Sequence, residues 1–328
     1  MVRFDRIKIV TDRRNMNFMN SNMGTEIYKN GVKHDIRFKQ IKPFNLYINE
    51  SVIDEKCVIE TSAKVLGDRY PELINAENID YCFGRINALG ICKIDINNAL
   101  ADSKLISADI TEDLIGINVP DGLAVKTCLK SLNKFFIKKY SNCGFVVTNT
   151  VKTQNRKIRL SIYDKYKELH KAGNSQFLDM LDDRFGVLVY FNGRSRIEAN
   201  VRTVSQIKEL LQIEDNSLMN ALNSTANPLL TIFDTIFDIQ NNPESKTNDV
   251  QSLLSYRKLS DLKNALLVNA CDNDVTHLEL VLRTYLSPNT NKGKYMAKLK
   301  RLITEKPLPN TNIQIMKEIR NKIANNNY

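Results

Sequence analysis

Up to Thr203 apolar and polar residues mostly alternate, and beyond it apolar residues recur every three or four positions. The first pattern belongs to strands with one buried face, the second to amphipathic helices. Arg6 to Val10 alternates basic and apolar side chains, and Asn30-Gly31 reads as a hairpin turn because both positions accept positive φ. Phe44 to Ile48 and Val58 to Val65 are two further predicted strands. Asn75 to Ala88 carries Ile79, Cys82, Phe83 and Ile86 at helical spacing and stops before Gly90. Ile91 to Ile96 and Leu105 to Leu114 return to period two, and a long helix is predicted from Leu123 to Tyr140, entered after Pro120-Asp121-Gly122. Strands follow at Gly144 to Thr150 and Lys157 to Tyr163, then a short helix, then strands at Val187 to Phe191 and Arg196 to Thr203.

After Val204 the apolar sets (Ile207, Leu210, Leu211; Leu218, Leu222; Leu229, Leu230, Phe233, Ile236, Phe237) predict helices to the end, with a polar linker from Asn241 to Val250. The expected fold class is α+β, with a mainly antiparallel central sheet flanked by helices over residues 1–205. A helical, basic C-terminal region over 206–328 follows it.

Hydrophobic residues make up 42% and charged residues 26% of the 328, ordinary globular usage that excludes a chain disordered throughout. No apolar run approaches the ~18 residues of a membrane span. The opening MVRFDRIKIVTDRR alternates and lacks the apolar block of a secretory signal. Six cysteines lie scattered with no CxxC pair, which argues against a disulfide framework or a structural zinc site and suits reduced thiols in a cytoplasm. The net charge of +10 favours polyanionic partners. Most of it sits at the end, where Lys292, Lys294, Lys298, Lys300, Arg301, Lys306, Lys317, Arg320 and Lys322 outnumber Glu305 and Glu318. That stretch is either a solvated basic helix pair or a surface that tracks phosphates.

Period two also sorts the candidate chemistry. From Leu105 to Leu114, residues 107, 109, 111 and 113 share one face, so Asp109 and Asp113 point the same way. From Ser195 to Arg202, one face is Arg196, Glu198, Asn200 and Arg202; from Lys157 to Tyr163, it is Arg159, Ser161 and Tyr163. A sheet with one wet face accounts for this alternation by itself. The particular content, carboxylates as hard oxygen ligands beside a Tyr, a Lys and arginines able to hold phosphate, also suits a divalent ion acting on a phosphodiester.

The run Arg159-Leu160-Ser161-Ile162-Tyr163-Asp164-Lys165-Tyr166-Lys167-Glu168 resembles the active-site segment of rolling-circle replication initiators. These are the trans-acting plasmid Rep proteins and the gene II/X replication proteins of filamentous phages and related plasmids. Their pattern is a strand ending Arg-x-Tyr-(Asp/Asn)-Lys with a Glu soon after. The upstream aspartate strand of the family is matched by Ala108 to Asp113, the later Arg-x-Glu strand by Arg196-Ile197-Glu198 with Arg202, and an early Val-Glu-x-x-x-x-Lys-Leu strand by Val58 to Leu66. The resemblance runs over residues 55–205 in order. Many rolling-circle enzymes use a His-x-His metal pair; here His34, His170 and His277 are unpaired, so the resemblance is to the branch with Asp and Glu ligands.

The resemblance implies a nicking-initiator catalytic domain with Tyr163 as nucleophile and Lys165 stabilising the phenolate or the phosphorane. It implies Asp109 and Glu198 as ligands for Mg²⁺ or Mn²⁺, with Asp113 a further candidate. Tyr166 is the alternative nucleophile, and His170 could lie near the site. Arg159, Arg196 and Arg202 are expected on phosphates, the last two alternatively beside Glu198; Glu60 and Lys64, on one strand face, touch DNA or are merely solvated. The expected partners are DNA, as a double-strand origin and then a single strand, and the helicase and polymerase of a bacterial host. A homodimer and a plasmid or phage element are implied as well. Residues 284–301 suggest two helices about a turn, with Lys292, Lys294, Lys298, Lys300 and Arg301 opening the second toward DNA. Two other expectations stand beside this one: a non-catalytic origin-binding initiator or repressor, and a metal-dependent nuclease that uses water.

Overall fold

The computed structural model describes residues 1–19, 24–25, 36–51, 54–120, 122, 124–151, 153, 157–239, 258–271, 275–285, 291–305 and 311–325. The hairpin turn expected at Asn30-Gly31, the linker at 241–250 and His34 lie outside the described residues. The fold is α+β, built on a large antiparallel sheet. Its strands are β1 (Phe4–Asp12), β3 (Gly24–Thr25), β4 (Ile36–Ile41), β5 (Leu46–Ser51), β6 (Lys56–Ser62), β8 (Lys104–Ile115), β9 (Phe135–Tyr140), β10 (Gly144–Asn149), β11 (Arg159–Asp164) and β12 (Arg194–Val201). β2 (Met16–Phe18) and β7 (Cys92–Ile94) pair separately. The strand order is β3-β4-β5-β6-β1-β8-β12-β11-β10-β9, so chain-distant β1, β8 and β12 lie side by side in the middle.

The helices are α1 (Ile79–Ala88), α2 (Ile96–Asp102), α3 (Lys165–Leu169), α4 (Ser175–Asp179), α5 (Arg184–Phe191), α6 (Val204–Leu211), α7 (Leu218–Leu222), α8 (Pro228–Ile236), α9 (Leu259–Ala270), α10 (Val275–Tyr285), α11 (Lys292–Glu305) and α12 (Thr311–Asn325). Alternation turns Ile7, Ile9, Ala108, Ile110, Leu160, Ile162, Ile197 and Ala199 to one face of the sheet, where all are buried. α6, α8 and α12 pack against β8 or β12. α12 is tied down by Arg320, whose guanidinium makes two 2.7 Å bonds to Asp234 of α8, and by Met316, Ile319 and Ile323 in the main core. The change of pattern near residue 205 is therefore a change of secondary structure and not of core. Val268, Cys271, Leu278, Leu282, Met296 and Leu299 of the α9–α11 region form a second, smaller cluster.

Three predicted elements differ. Leu123 to Tyr140 is not a helix: Ala124–Cys128 is a 3-10 turn, and Phe135–Tyr140 is β9, paired with β10 residue by residue. Its aromatic and β-branched content favours a pleated surface, and Ser131 accepts the backbone N–H groups of Lys134 and Phe135 to start it. Val187 to Phe191 belongs to helix α5, because Asp183 caps its N-terminus by accepting from the Gly186 N–H. The Val58 to Val65 strand ends at Ser62, and a 3-10 segment, Ala63–Glu72, follows. Lys64 thus leaves the strand face of Glu60. All six cysteines are buried, and none is in a disulfide. Among the described residues no helix is long and apolar enough to cross a membrane.

Candidate active site

Register decides which polar side chains meet, since directly paired residues of adjacent strands share a face. One row crosses five strands: Asp113 is opposite Arg196, Arg196 opposite Tyr163, Tyr163 opposite Gly144, and Gly144 opposite Tyr140. The neighbouring row is Thr111, Glu198, Ser161, Val146 and Lys138. A third brings Asp109 beside Asn200, and Arg159 beside Thr148 and Phe136. Asp109, Asp113, Tyr163 and Glu198 therefore share one face, as alternation predicted. That face is not simply wet. The Ala63–Glu72 segment contacts β1 and α5, while α3 and α5 pack on β12, and they cover the first row.

Under this cover Arg196 has no solvent exposure. It donates to Asp113 at 2.7 and 2.9 Å, to Asp5 at 2.8 Å and to the Tyr70 hydroxyl at 3.0 Å. Burial works against its charge, but Asp113, Tyr70 and Asp5 hold the guanidinium well above its ordinary pKa. The expectation that Arg196 contacts phosphate is corrected: its donors are spent on Asp113, Asp5 and the Tyr70 hydroxyl.

Tyr163 is 3% exposed, and its hydroxyl donates to Glu198 at 2.9 Å. Burial first, and the Glu198 charge second, push the phenol well above its usual pKa. Burial, with Asp5 and Asp109 nearby, pushes the Glu198 carboxyl up to about 7. Lys165 lies 5.6 Å from the Tyr163 ring centre and 5.3 Å from that of Tyr70, and its ammonium makes a 2.7 Å ion pair with Glu168. Burial would lower the Lys165 ammonium; Tyr70 and Glu168 outweigh Arg196 and raise it. Glu168, despite burial, is held down at about 2 by Lys165 and by an Asn174 hydrogen bond. Lys64, expected on DNA or in solvent, is buried and donates to Asn174 at 2.7 Å.

The three carboxylates expected as Mg²⁺ or Mn²⁺ ligands do not form a coordinating set. Asp109 accepts from Arg6 at 2.9 and 3.2 Å and from Asn200; Asp113 is held by Arg196; Glu198 accepts from Tyr163. Among the described residues no three of His, Cys, Asp and Glu converge on a point that could hold a metal ion. His170 is exposed, bonded through Nδ1 to the Tyr166 carbonyl at 2.8 Å, and its ring packs on Tyr166 at 4.4 Å. Tyr163, not Tyr166, has the carboxylate partner. Glu60 is half-buried between Arg6 and Lys8.

Arg159 and Arg202 are exposed, as a phosphate contact requires. Lys292, Lys294, Lys298, Lys300 and Arg301 all lie exposed on α11, with Lys298 paired to Asp261 at 2.8 Å. Residues missed in the sequence are Asp5, Arg6, Tyr70 and Asn174. Arg6 stood on the polar face of a predicted strand, whereas Tyr70 and Asn174 lie in 3-10 segments that carry no period. Gly144 was missed too. A Cβ there would sit 2.2 Å from the Ile162 carbonyl oxygen and 2.6 Å from Tyr163 Cα. With no side chain between them, the rings of Tyr140 and Tyr163 meet across β10 at 4.9 Å. Comparisons of the chain with protein-family models, curated proteins and solved structures find no match.

Proposed function

We propose that the chain is a tyrosine transesterase that nicks and rejoins one DNA strand at an origin, starting rolling-circle replication of a plasmid or phage. The observation that carries this reading is the 2.9 Å hydrogen bond from the Tyr163 hydroxyl to a carboxyl that keeps its proton to about pH 7. A buried phenol is a poor nucleophile, and a neighbouring carboxylate matched to neutral pH is the base it needs. In the proposed step Tyr163 Oη bonds to phosphorus as its proton passes to Glu198. The bond from phosphorus to O3′ breaks, and the protonated Glu198 returns a proton to O3′. The products are a free 3′-hydroxyl, which a host polymerase can extend, and a 5′-phosphate esterified to Tyr163. Reversal rejoins the strand. Lys165, fixed by Glu168, supplies positive charge beside the phenol as it loses its proton. No step is assigned to a metal ion, because Asp109 and Asp113 are committed to arginines.

Tyr163 is 3% exposed, so the reaction requires the half-buried Tyr140 ring to move off it. That burial favours a second reading, origin binding without cleavage. One assay separates the two. Supercoiled DNA carrying the flanks of this chain's own coding sequence is incubated with the protein and Mn²⁺, then resolved with and without protease. An open circle with protein on its 5′ end, abolished in Tyr163→Phe, supports transesterification. Tight binding with no nick supports the second reading, and a nick without an adduct means that water is the nucleophile.

A further inference from the structure

β9 closes one edge of the sheet, and its Phe136, Lys138 and Tyr140 turn to the same face as Tyr163, because Tyr140 packs on Tyr163 and alternation carries the other two with it. Phe136 is 36% exposed. Lys138 lies 5.2 Å from the Phe136 ring centre, and Lys171 lies 4.3 Å from that of Tyr140. Next to this ledge the sheet is floored by small side chains, Gly144, Val146 and Thr148 on β10 and Ser161 on β11. Exposed Arg159 and Arg202 stand beyond that floor. From β9 to β12 is three strand spacings, about 14 Å. An exposed Phe136 ring, a half-buried Tyr140 ring and cations beside both offer what a single nucleic-acid strand needs, stacking for bases and positive charge for the backbone.

We infer that Phe136 and Tyr140 form a base-stacking ledge for single-stranded DNA, with Lys138 and Arg159 on its phosphates. This rests on the proposed nicking reaction and adds where the strand lies. One base takes the place of Tyr163 against the Tyr140 ring, so that binding itself opens one side of the phenol; Phe136, four residues along β9 and about 13 Å away, stacks a base further along the strand. An edge strand that carries lysines only to block pairing with other sheets is the alternative, and it predicts no dependence on an aromatic at 136.

The test is fluorescence anisotropy with a labelled oligo(dT) strand and a duplex of equal length, using the full chain at several salt concentrations. Phe136→Leu keeps apolar bulk without a π-face and is expected to weaken single-strand binding about five- to a hundredfold, while Phe136→Trp retains it. Lys138→Gln is expected to lower the salt slope by about 0.7. Duplex binding should not change with either Phe136 variant. Equal single-strand affinity for wild type and Phe136→Leu overturns the ledge, as does equal loss of single-strand and duplex binding. Covalent attachment at Tyr163 is scored separately, so a lost ledge with an intact adduct, or an intact ledge with no adduct, shows which of the two readings has failed. Circular dichroism melting of each variant guards against loss of fold.

Discussion

Glu198 holds its proton to about pH 7 in the fold, whereas a Glu in an unfolded chain releases it near pH ~4.3. Between those values the native state binds more protons than the unfolded state, so stability falls as pH rises through this window. Glu198→Gln keeps an acceptor for Tyr163 and removes the charge. It is expected to melt higher than wild type at pH 8, with a smaller gap at pH 5. The same substitution removes the base, so nicking is expected to drop roughly 10²–10⁴-fold, while the wild-type rate rises with pH through about 7. Arg196 presents the opposite case, a buried charge with full partners. Arg196→Gln strands Asp113 and Asp5 and should cost about 3–5 kcal/mol in chemical denaturation. At this scale the sequence was legible in part. Alternation put Asp109, Asp113, Tyr163, Arg196 and Glu198 on one face, but it carries no information on what roofs that face. Tyr70 and Asn174 come from irregular segments; Tyr70, with Asp5, helps hold Arg196 among buried partners, and Asn174 takes the buried Lys64 ammonium, so neither cation is left for phosphate.

Among the elements, the β10–β11 pairing depends on Gly144. Its missing Cβ leaves room for the Ile162 carbonyl and Tyr163 backbone, neither of which can yield as a flexible side chain would. Gly144→Ala is expected to destabilise the protein by about 1–3 kcal/mol and to weaken the Tyr140–Tyr163 contact, read as a lower melting temperature and altered tyrosine fluorescence. The central strands β8, β11 and β12 were readable because apolar and polar positions alternate through residues 107–111, 159–162 and 196–201. Phe135–Tyr140 was not: Phe135, Phe136, Ile137 and Tyr140 also satisfy helical spacing, and pairing with β10 overrides the local pattern. The run ending at Phe191 was too short and too apolar to show a period, and its Asp183 cap was the signal overlooked.

For the whole molecule, the C-terminal helices were evident as helices, yet their packing was not. α12, with 0% exposed Met316, Ile319 and Ile323, joins the main core after a long excursion through α9–α11, which share a separate cluster. Ile319→Ala is expected to cost about 2–5 kcal/mol of global stability. In hydrogen exchange the amides of α9–α11 should open at lower free energy than those of β8, because fewer buried apolar side chains hold them. The central claim concerns one oxygen atom. After reaction with DNA flanking the coding sequence, followed by nuclease and trypsin, mass spectrometry should find a nucleotide on the peptide Leu160 to Lys165, which carries Tyr163 as its sole tyrosine. A nucleotide on the peptide bearing Tyr166, or nicked DNA with every tyrosine peptide unmodified, would contradict it.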